Sequence, residues 1–257
     1  MRHPTELSLI ALRDFPMVEP QDNLAALITE SLEQNNVQLA DGDIIVLAQK
    51  IVSKAEGRQV NLADVTPSDR AHDLAKSTEK DPRLVELILQ ESTEVVRTRG
   101  PILIVEHKLG FVMANAGIDQ SNISHGGDND SALLLPVDPD GSAKRLRSAL
   151  EASTGKQLAV IINDSVGRAW RMGTVGLAIG TSGIDPLWDR RGDKDLFDRT
   201  LEITEVGLTD EISAAASLLM GQGDEGLPVV IVRGVEYRRS ERGIAPVLRD
   251  KEFDLFR

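Results

Sequence analysis

The sequence predicts a mixed α/β fold of the α+β type, with mixed sheets, antiparallel pairing and two interleaved lobes. Three observations carry this expectation. Short apolar runs alternate irregularly with amphipathic segments, so strands and helices are present without a strict βαβ rhythm. Consecutive strand-like runs are separated by Gly100-Pro101 and by Leu109-Gly110, two-residue turns that imply antiparallel pairing. The segment MGQGDEG, residues 220–226, has the glycine spacing of a dinucleotide-binding turn but the wrong context for one.

Taken in order, LSLIALR (7–13) reads as a strand. DNLAALITESLEQ comes next as a helix, with Asp22 as the N-cap and Leu24, Leu27, Ile28 and Leu32 on one face. DIIVLAQKIVSK (43–54) reads as a buried strand with a polar end. TPSDRAHDLAKS predicts a helix capped by Thr66, with Pro67 in its first turn and Asp69 three residues after the cap. Asp81-Pro82 repeats the cap-then-proline pattern before RLVELILQES. TEVVRTR, ILIVEHKLG and FVMANAG read as three strands. SHGGDNDSA (124–132) is a polar loop. DPDGSAKRLRSALEAST is a helix with Leu146 and Leu150 one turn apart. LAVIIND, TVGLAIG, LEITEVGL and PVVIVRG are strands, and TDEISAAASLLMG is a helix. There is no repeat, no low-complexity tract and no clear linker, so residues 1–257 are read as a single unit.

A dinucleotide-binding turn requires a strand before its glycines and a helix after them, so that the helix N-terminus faces the pyrophosphate. In this chain a helix precedes Gly221 and a strand comes after Gly226, which makes the fold non-Rossmann. The plain structural account is a helix C-cap at Gly221 in the left-handed conformation. Three glycines with Gln222, Asp224 and Glu225 in six residues exceed what a cap requires, and glycines admit a ligand close to the backbone. No phosphate-loop motif ending in Gly-Lys-Ser/Thr is present.

The chain has 257 residues, 41% hydrophobic and 27% charged, with aromatics at 3%, so its core rests on Leu, Ile, Val and Ala. The formal net charge of −12 argues against nucleic acid or an anionic membrane as the main partner. With no cysteine, disulfides, thiolate nucleophiles and Cys-ligated metals are excluded. No apolar run reaches the roughly 20 residues of a membrane helix, and the N-terminus lacks a secretion signal. A cytoplasmic enzyme is expected.

Two segments share a design. MANAGIDQSN and VIINDSVGR each run from an apolar strand into a polar turn carrying one aspartate, Asp119 and Asp164. Each alone reads as an ordinary Asx turn. Together, with the hydroxyl of Ser165, they suit a hard cation that takes one or two carboxylates and completes its shell with water and phosphate oxygens. Lys50, Lys54 and Arg58, and further on Arg168 and Arg171, are candidate clamps for phosphate or carboxylate, against the plain reading of solvated surface charge. His3, His72, His107 and His125 show no metal-ligand spacing; His72 and His107 read as structural and His125 is unassigned. Trp170 and Trp188 read as packing residues.

VSKAEGR, NAGIDQSN, LLLPVDPDGSA, VIINDSVGRAWR, GLAIGTSG and LLMGQGDEGLPVVIVRG together resemble the coenzyme F420-0:L-glutamate ligase family, in order from residue 9 to residue 233. The resemblance implies a distinctive, non-Rossmann F420 ligase-like fold. It also implies a GTP-dependent ligase that adds L-glutamate in γ-linkage to coenzyme F420-0 or F420-1 through an acyl phosphate, releasing GDP and phosphate. It implies Mg²⁺ or Mn²⁺, assistance from K⁺, and an intertwined homodimer. Carried over by position, Asp119, Asp164 and Ser165 match the family's metal positions, Ser165 where threonine is common. Arg13, Asp14, Phe15 and Pro16 match a first nucleotide segment, and Gln49, Lys50 and Lys54 a second, although archaeal members often have Ser-Thr where Gln49-Lys50 stands. Asn122 matches a GTP contact. Leu219, Met220, Gly221, Gln222, Gly223, Asp224, Glu225 and Gly226 match a third nucleotide segment. Catalytic weight falls on Asp119, Asp164 and Lys54. Some relatives carry a further C-terminal flavin-binding domain; with the chain ending at Arg257, that domain and its activity are expected to be absent. The competing readings are a metal-dependent phosphotransferase and a GTP-binding protein without turnover.

Overall fold

The computed structural model describes residues 5–123 and 131–255. In chain order the elements are β1 (Ser8–Ala11), α1 (Leu24–Gln34), β2 (Ile44–Ala48), α2 (Gln49–Ala55), β3 (Gln59–Asn61), α3 (Asp69–Thr78), α4 (Pro82–Gln90), β4 (Ser92–Arg99), β5 (Ile102–His107) and β6 (Val112–Ala114). Then come β7 (Ser131–Leu133), α5 (Pro139–Thr154), β8 (Ala159–Gly167), β9 (Thr174–Ser182), β10 (Leu187–Asp189), β11 (Glu205–Gly207), α6 (Leu208–Met220) and β12 (Val229–Arg233). The fold is mixed α/β with several, mostly antiparallel sheets, as the turn lengths predict.

A five-stranded sheet in the order β1-β12-β2-β8-β9 forms the centre, and its β2–β8 pair is parallel. IIVL, AVII and VVIV are apolar at every position because this sheet is covered on both faces. Alternation divides their side chains. Ile45, Leu47, Val160, Ile162 and Ile231 pack under α1, α2 and α5, while Ile44, Val46, Ala159, Ile161 and Val230 pack against Leu208, Ile212 and Ala216 of α6. The chain between α2 and α5 builds its own apolar clusters, one from Ala71, Ala75, Val85, Ile88, Leu103 and Val105, another from Leu62, Leu87, Ala132 and Leu134. There β4, β5 and β6 form the antiparallel sheet read from the sequence.

Several elements depart from expectation. Residues 43–54 are not one strand: the chain leaves the sheet after Ala48 and continues as α2. The α1 cap is Asn23, whose Oδ1 accepts the Ala26 N–H, while Asp22 closes a turn by accepting the Glu19 N–H. The α3 cap is Ser68 rather than Thr66, and Glu86 of the next helix accepts from both the Ser68 N–H and hydroxyl. The 201–208 strand shrinks to Glu205–Gly207, paired with β10. Most of the 124–132 loop, with His125, and also His3, lies outside the described residues; Ser131–Leu133 is a strand paired with β3. Trp170 is 84% exposed and does not pack in the core. Trp188 does pack, against the α6 side of the sheet and under the Arg190 guanidinium, 4.8 Å from the ring centre. His107 is buried, as expected of a structural histidine, and its Nδ1 accepts the Leu109 N–H.

Candidate functional site

Strand register gathers the separate segments at one end of the central sheet. Leu12, just past β1, donates its N–H to Val229 at the start of β12 (3.0 Å), so the segment from Arg13 to Pro16 leaves the sheet there. Ala48, the last residue of β2, donates to Pro228 (2.8 Å), two residues after Gly226. Ala48 also pairs with Asn163, which directly precedes Asp164. The 13–16 segment, the α2 start and the 219–226 segment thus converge with Asp164 where β2 ends. Carboxyl ends of parallel strands are the usual place for ligands in such sheets.

Asp164 is not at a strand terminus. β8 runs on to Gly167, pairing only with β9 beyond the point where β2 stops. One side of Asp164 is therefore free of a neighbouring strand. A register shift comes after Ile162: Ile162 faces Gly180 and Asn163 faces Ala178, leaving Ile179 as the extra residue. Asp210 of α6 accepts the Ala178 N–H at 3.0 Å beside this bulge.

Asp119 lies just after a short 3₁₀ turn, Asn115–Gly117, in which all three residues have positive φ. It is held by paired backbone hydrogen bonds to Leu133. Its Oδ1 accepts the Ser121 N–H at 2.7 Å, and its Oδ2 meets the Lys50 ammonium at 2.7 Å. Lys50 also donates to the Ser121 hydroxyl at 2.8 Å. Asn122, in the left-handed region, donates from Nδ2 to the Gly223 carbonyl at 2.9 Å. Gly223 donates its N–H to the Glu225 carboxylate at 2.8 Å. A polar chain therefore runs from α2 through the Asp119 turn to the glycine segment.

Backbone geometry explains the glycine at 221: φ 71° and ψ −169° lie where glycine alone is at ease, and a Cβ would collide with the Glu225 carboxyl. Gly221 ends α6, as the helix-cap reading expects, although its ψ is not that of the left-handed helix. The order helix, glycines, strand is the one read from the sequence, and the segment from Gln222 to Gly226 is exposed.

Charges are tuned around this cluster. The Asp164 side chain keeps a little solvent contact, yet protein packs round its carboxyl; burial, aided by the charge of Asp119, pushes it up to about 7, with Lys50 opposing. Burial alone would raise Asp119 too, but the Lys50 ammonium and the Ser121 N–H hold it below the usual carboxylate range. Lys54 lies one turn after Lys50 on α2, and burial with the neighbouring Lys50 charge lowers its pKa. Asp119, Asp164 and Lys50 thus sense one another electrostatically.

A cation here would find few protein ligands. Among the described residues no group of three or more His, Asp or Glu side chains could hold a metal. Two carboxylates, one of them reluctant to ionise without a counter-charge, suit a hard ion that draws its other ligands from water and phosphate. Ser165 donates its N–H to Asp164 Oδ1 at 2.8 Å; strand alternation turns its hydroxyl toward the face that carries α6.

Other candidates have partners of their own, some away from the cluster and some beside it. Arg58 is built into the structure: it pairs with Glu91 at 2.6 Å and donates to the Leu135 carbonyl. Arg168 donates to the Met172 carbonyl at the β8–β9 tip. The buried Gln49 side chain accepts from Ser53, leaving its backbone for any outside contact. Arg13 and Asp14 line a cavity of about 460 Å³ with Gln34, Asn35 and Val37, and the Asn35 amide clasps the Arg13 backbone. Sequence reasoning missed Asn163, 4% exposed, whose Oδ1 has no hydrogen-bond partner among the described residues and whose Nδ2 donates to Met220 Sδ at 3.5 Å. Its signal was a polar residue at an apolar position of a strand that is buried on both faces.

Comparison with known proteins identifies the family. A family model described as F420-0:Gamma-glutamyl ligase matches residues 13–234. The chain is 49% identical over 253 residues to the coenzyme F420:L-glutamate ligase of Methanothermobacter thermautotrophicus, covering 98% of this chain and 99% of that protein. It is 46% identical over 237 residues to the enzyme so named from Methanocaldococcus jannaschii, covering 92% and 91%. For the Archaeoglobus fulgidus ligase the identity is 41% over 251 residues, covering 98% and 96%. With a match over most of its length and relatives aligned nearly end to end, the chain belongs to the F420-0:gamma-glutamyl ligase family.

Proposed function

We propose that the chain, acting as one catalytic unit, is a GTP-dependent ligase that joins L-glutamate in γ-linkage to coenzyme F420-0, and to F420-1. The observation that carries this reading is the cluster of Lys50, Asp119 and Asp164 at the sheet end, tied through Asn122 to the exposed glycine segment. A free carboxylate does not acylate an amine, because oxide is a poor leaving group. Transfer of the GTP γ-phosphoryl group to the coenzyme's terminal carboxylate, with departure of GDP, supplies a better one. The glutamate amine then attacks the acyl carbon, phosphate leaves, and the amine proton passes to solvent.

Asp119 and Asp164 would hold Mg²⁺ or Mn²⁺, which would offset negative charge on the phosphate oxygens; Ser165, the third position the family resemblance implies, carries its hydroxyl on the α6 face of the strand, so only its backbone could take part on the Asp164 side. Lys54 and Lys50, on one face of α2, would neutralise phosphate charge, and the backbone from Leu219 to Gly226 would approach the nucleotide. The cavity beside Arg13 and Asp14 is of a size that takes small molecules. Much of the rate enhancement would be positioning and electrostatics. K⁺ assistance is part of the same proposal, without an assigned residue.

We further propose a homodimer in the cytoplasm. Leu196, Phe197 and Ile203 are 98%, 90% and 87% exposed on one arm of the chain, which suits burial against a second copy. No described helix is long and apolar enough to cross a membrane.

Incubation with F420-0, GTP, Mn²⁺ and glutamate, followed by mass analysis, tests the activity. A gain of one glutamyl residue with equimolar phosphate release is expected. A phosphoryl gain instead, or no change in the coenzyme, overturns the reading.

A further inference from the structure

The Lys50 ammonium occupies an oxygen that the proposed metal needs. It sits 2.7 Å from Asp119 Oδ2, and the remaining Asp119 oxygen is engaged by the Ser121 N–H. Lys50 is also braced by the Ser121 hydroxyl at 2.8 Å and faces the Ser121 carbonyl at 3.4 Å. Both carboxylates feel its charge, because it acts on Asp164 as well. We propose that Lys50 is a cationic placeholder: without a divalent ion it fills the Asp119 side of the site, and metal binding displaces it toward the nucleotide phosphates. This rests on the metal reading given above.

Charge counting gives the consequence. Once Asp164 has given up its proton, two carboxylates and one ammonium leave the cluster at −1. A divalent ion bound with Lys50 still nearby brings it to +1, repulsive to a second cation and attractive to a triphosphate. The metal alone must therefore compete with Lys50, whereas metal with nucleotide gives Lys50 a new anionic partner. Nucleotide and metal should each strengthen the other's binding, with Lys50 as the shared group. The ammonium reaches this position because α2 starts one residue after β2 ends, which sets Lys50 opposite the Asp119 turn.

The test uses the full chain without nucleotide, titrated with Mn²⁺ and read by the paramagnetic signal of the free ion. Lys50→Met should tighten Mn²⁺ binding by about tenfold, the loss of one partly exposed ion pair plus one cation–cation repulsion, ~1.4 kcal/mol. Lys50→Arg should weaken it, because a guanidinium grips a carboxylate through two hydrogen bonds. The enhancement of Mn²⁺ affinity by GTP should shrink in Lys50→Met. Circular dichroism of each variant reports folding, and the opposite sign of the Arg change keeps the test decisive if the Met variant does not fold. Unchanged or weaker Mn²⁺ binding in Lys50→Met, with only GTP affinity reduced, would make Lys50 an ordinary phosphate ligand and overturn the placeholder. Failure of the unaltered protein to bind Mn²⁺ would overturn the metal reading itself, and the placeholder with it.

Discussion

Asp164→Asn should stabilise the metal-free protein near neutral pH while abolishing its metal site. The folded carboxyl keeps its proton up to about pH 7, whereas the ordinary value is 3.8. Between those values the unfolded chain holds fewer protons than the folded one, so raising the pH favours unfolding. The stability tied to the neutral carboxyl is thus present in acid, lost progressively from about pH 4, and gone above about pH 7. A shift of about three pH units is worth ~4 kcal/mol as an upper bound, since each unit corresponds to about 1.4 kcal/mol. Residual solvent contact and the opposing Lys50 charge reduce that figure. Asparagine removes the ionisation and keeps an oxygen to accept the Ser165 N–H.

The assay is thermal unfolding of both proteins in chelator across that pH range, read as variant minus wild type. The difference should grow toward neutrality and reach about 5–10 °C, from roughly 2–4 °C per kcal/mol in a chain of this size. Adding Mn²⁺ should raise the wild-type midpoint and leave the variant unmoved, because a ligand stabilises only the state that binds it. Ligase activity should fall below detection in the variant. Parallel pH profiles for the two metal-free proteins would show that the carboxyl ionises normally and refute the reasoning.

His107 gives a slope of opposite sign. Burial, with the Lys108 and Arg58 charges, lowers it from 6.5 to about 4, so the unfolded chain binds the extra proton between those values and acid destabilises the fold by ~3 kcal/mol. His107→Asn should flatten this acid limb in denaturant titrations, and a limb unchanged from wild type would count against it. Gly176→Ala should destabilise by about 1–3 kcal/mol in urea melts, because a Cβ would lie 2.5 Å from both Asn163 Oδ1 and the Ser213 carbonyl oxygen. Arg58→Leu should cost about 1–3 kcal/mol by leaving the half-buried Glu91 without its arginine partner, yet leave Mn²⁺ affinity unchanged; a large affinity change would return Arg58 to the site. Gly221→Ala should weaken GTP binding, measured by calorimetry, by displacing Glu225 and straining the turn; unaltered affinity would separate this segment from the nucleotide.

Much of the architecture is legible because burial writes itself into period and length. β8, β9 and β12 are apolar runs bounded by polar residues, and α5 carries both its Asp138 cap and its Leu146–Leu150 stripe. Local choices between adjacent candidates are not legible in the same way. Asp22 and Asn23 are both competent caps, and the winner depends on a turn at Glu19 made by the other. Whether QKIVSKA extends β2 or becomes α2 depends on which neighbours surround it beyond Ala48, since a segment that short, with Ile51 and Val52 between polar residues, fits either state. The same limit governs the site. The motifs show Lys50, Arg58, Asp119 and Asp164 as a charged set, but only register and packing send Lys50 to Asp119 and Arg58 to Glu91.

The geometry also explains how a glycine-rich segment can serve an anion without the Rossmann arrangement. After α6 the segment meets the negative end of a helix dipole, so it has no favourable field of its own to offer phosphate. Positive charge must come from elsewhere. The β2–β8 pairing provides it: β2 stops at Ala48 and turns at once into α2, which carries Lys50 and Lys54 one turn apart, while β8 continues past that point and carries Asp164 beyond the β2 pairing. The two lysines and the Asp164 carboxylate are thus delivered to the same place by two neighbouring strands of unequal length, and Asp119 joins them from its own turn. A chain with β8 shortened to match β2 would keep its glycines and most of its core, giving up Val166, and lose the site, which makes the two-strand extension of β8 with β9, rather than the glycine spacing, the structural basis of the proposed chemistry.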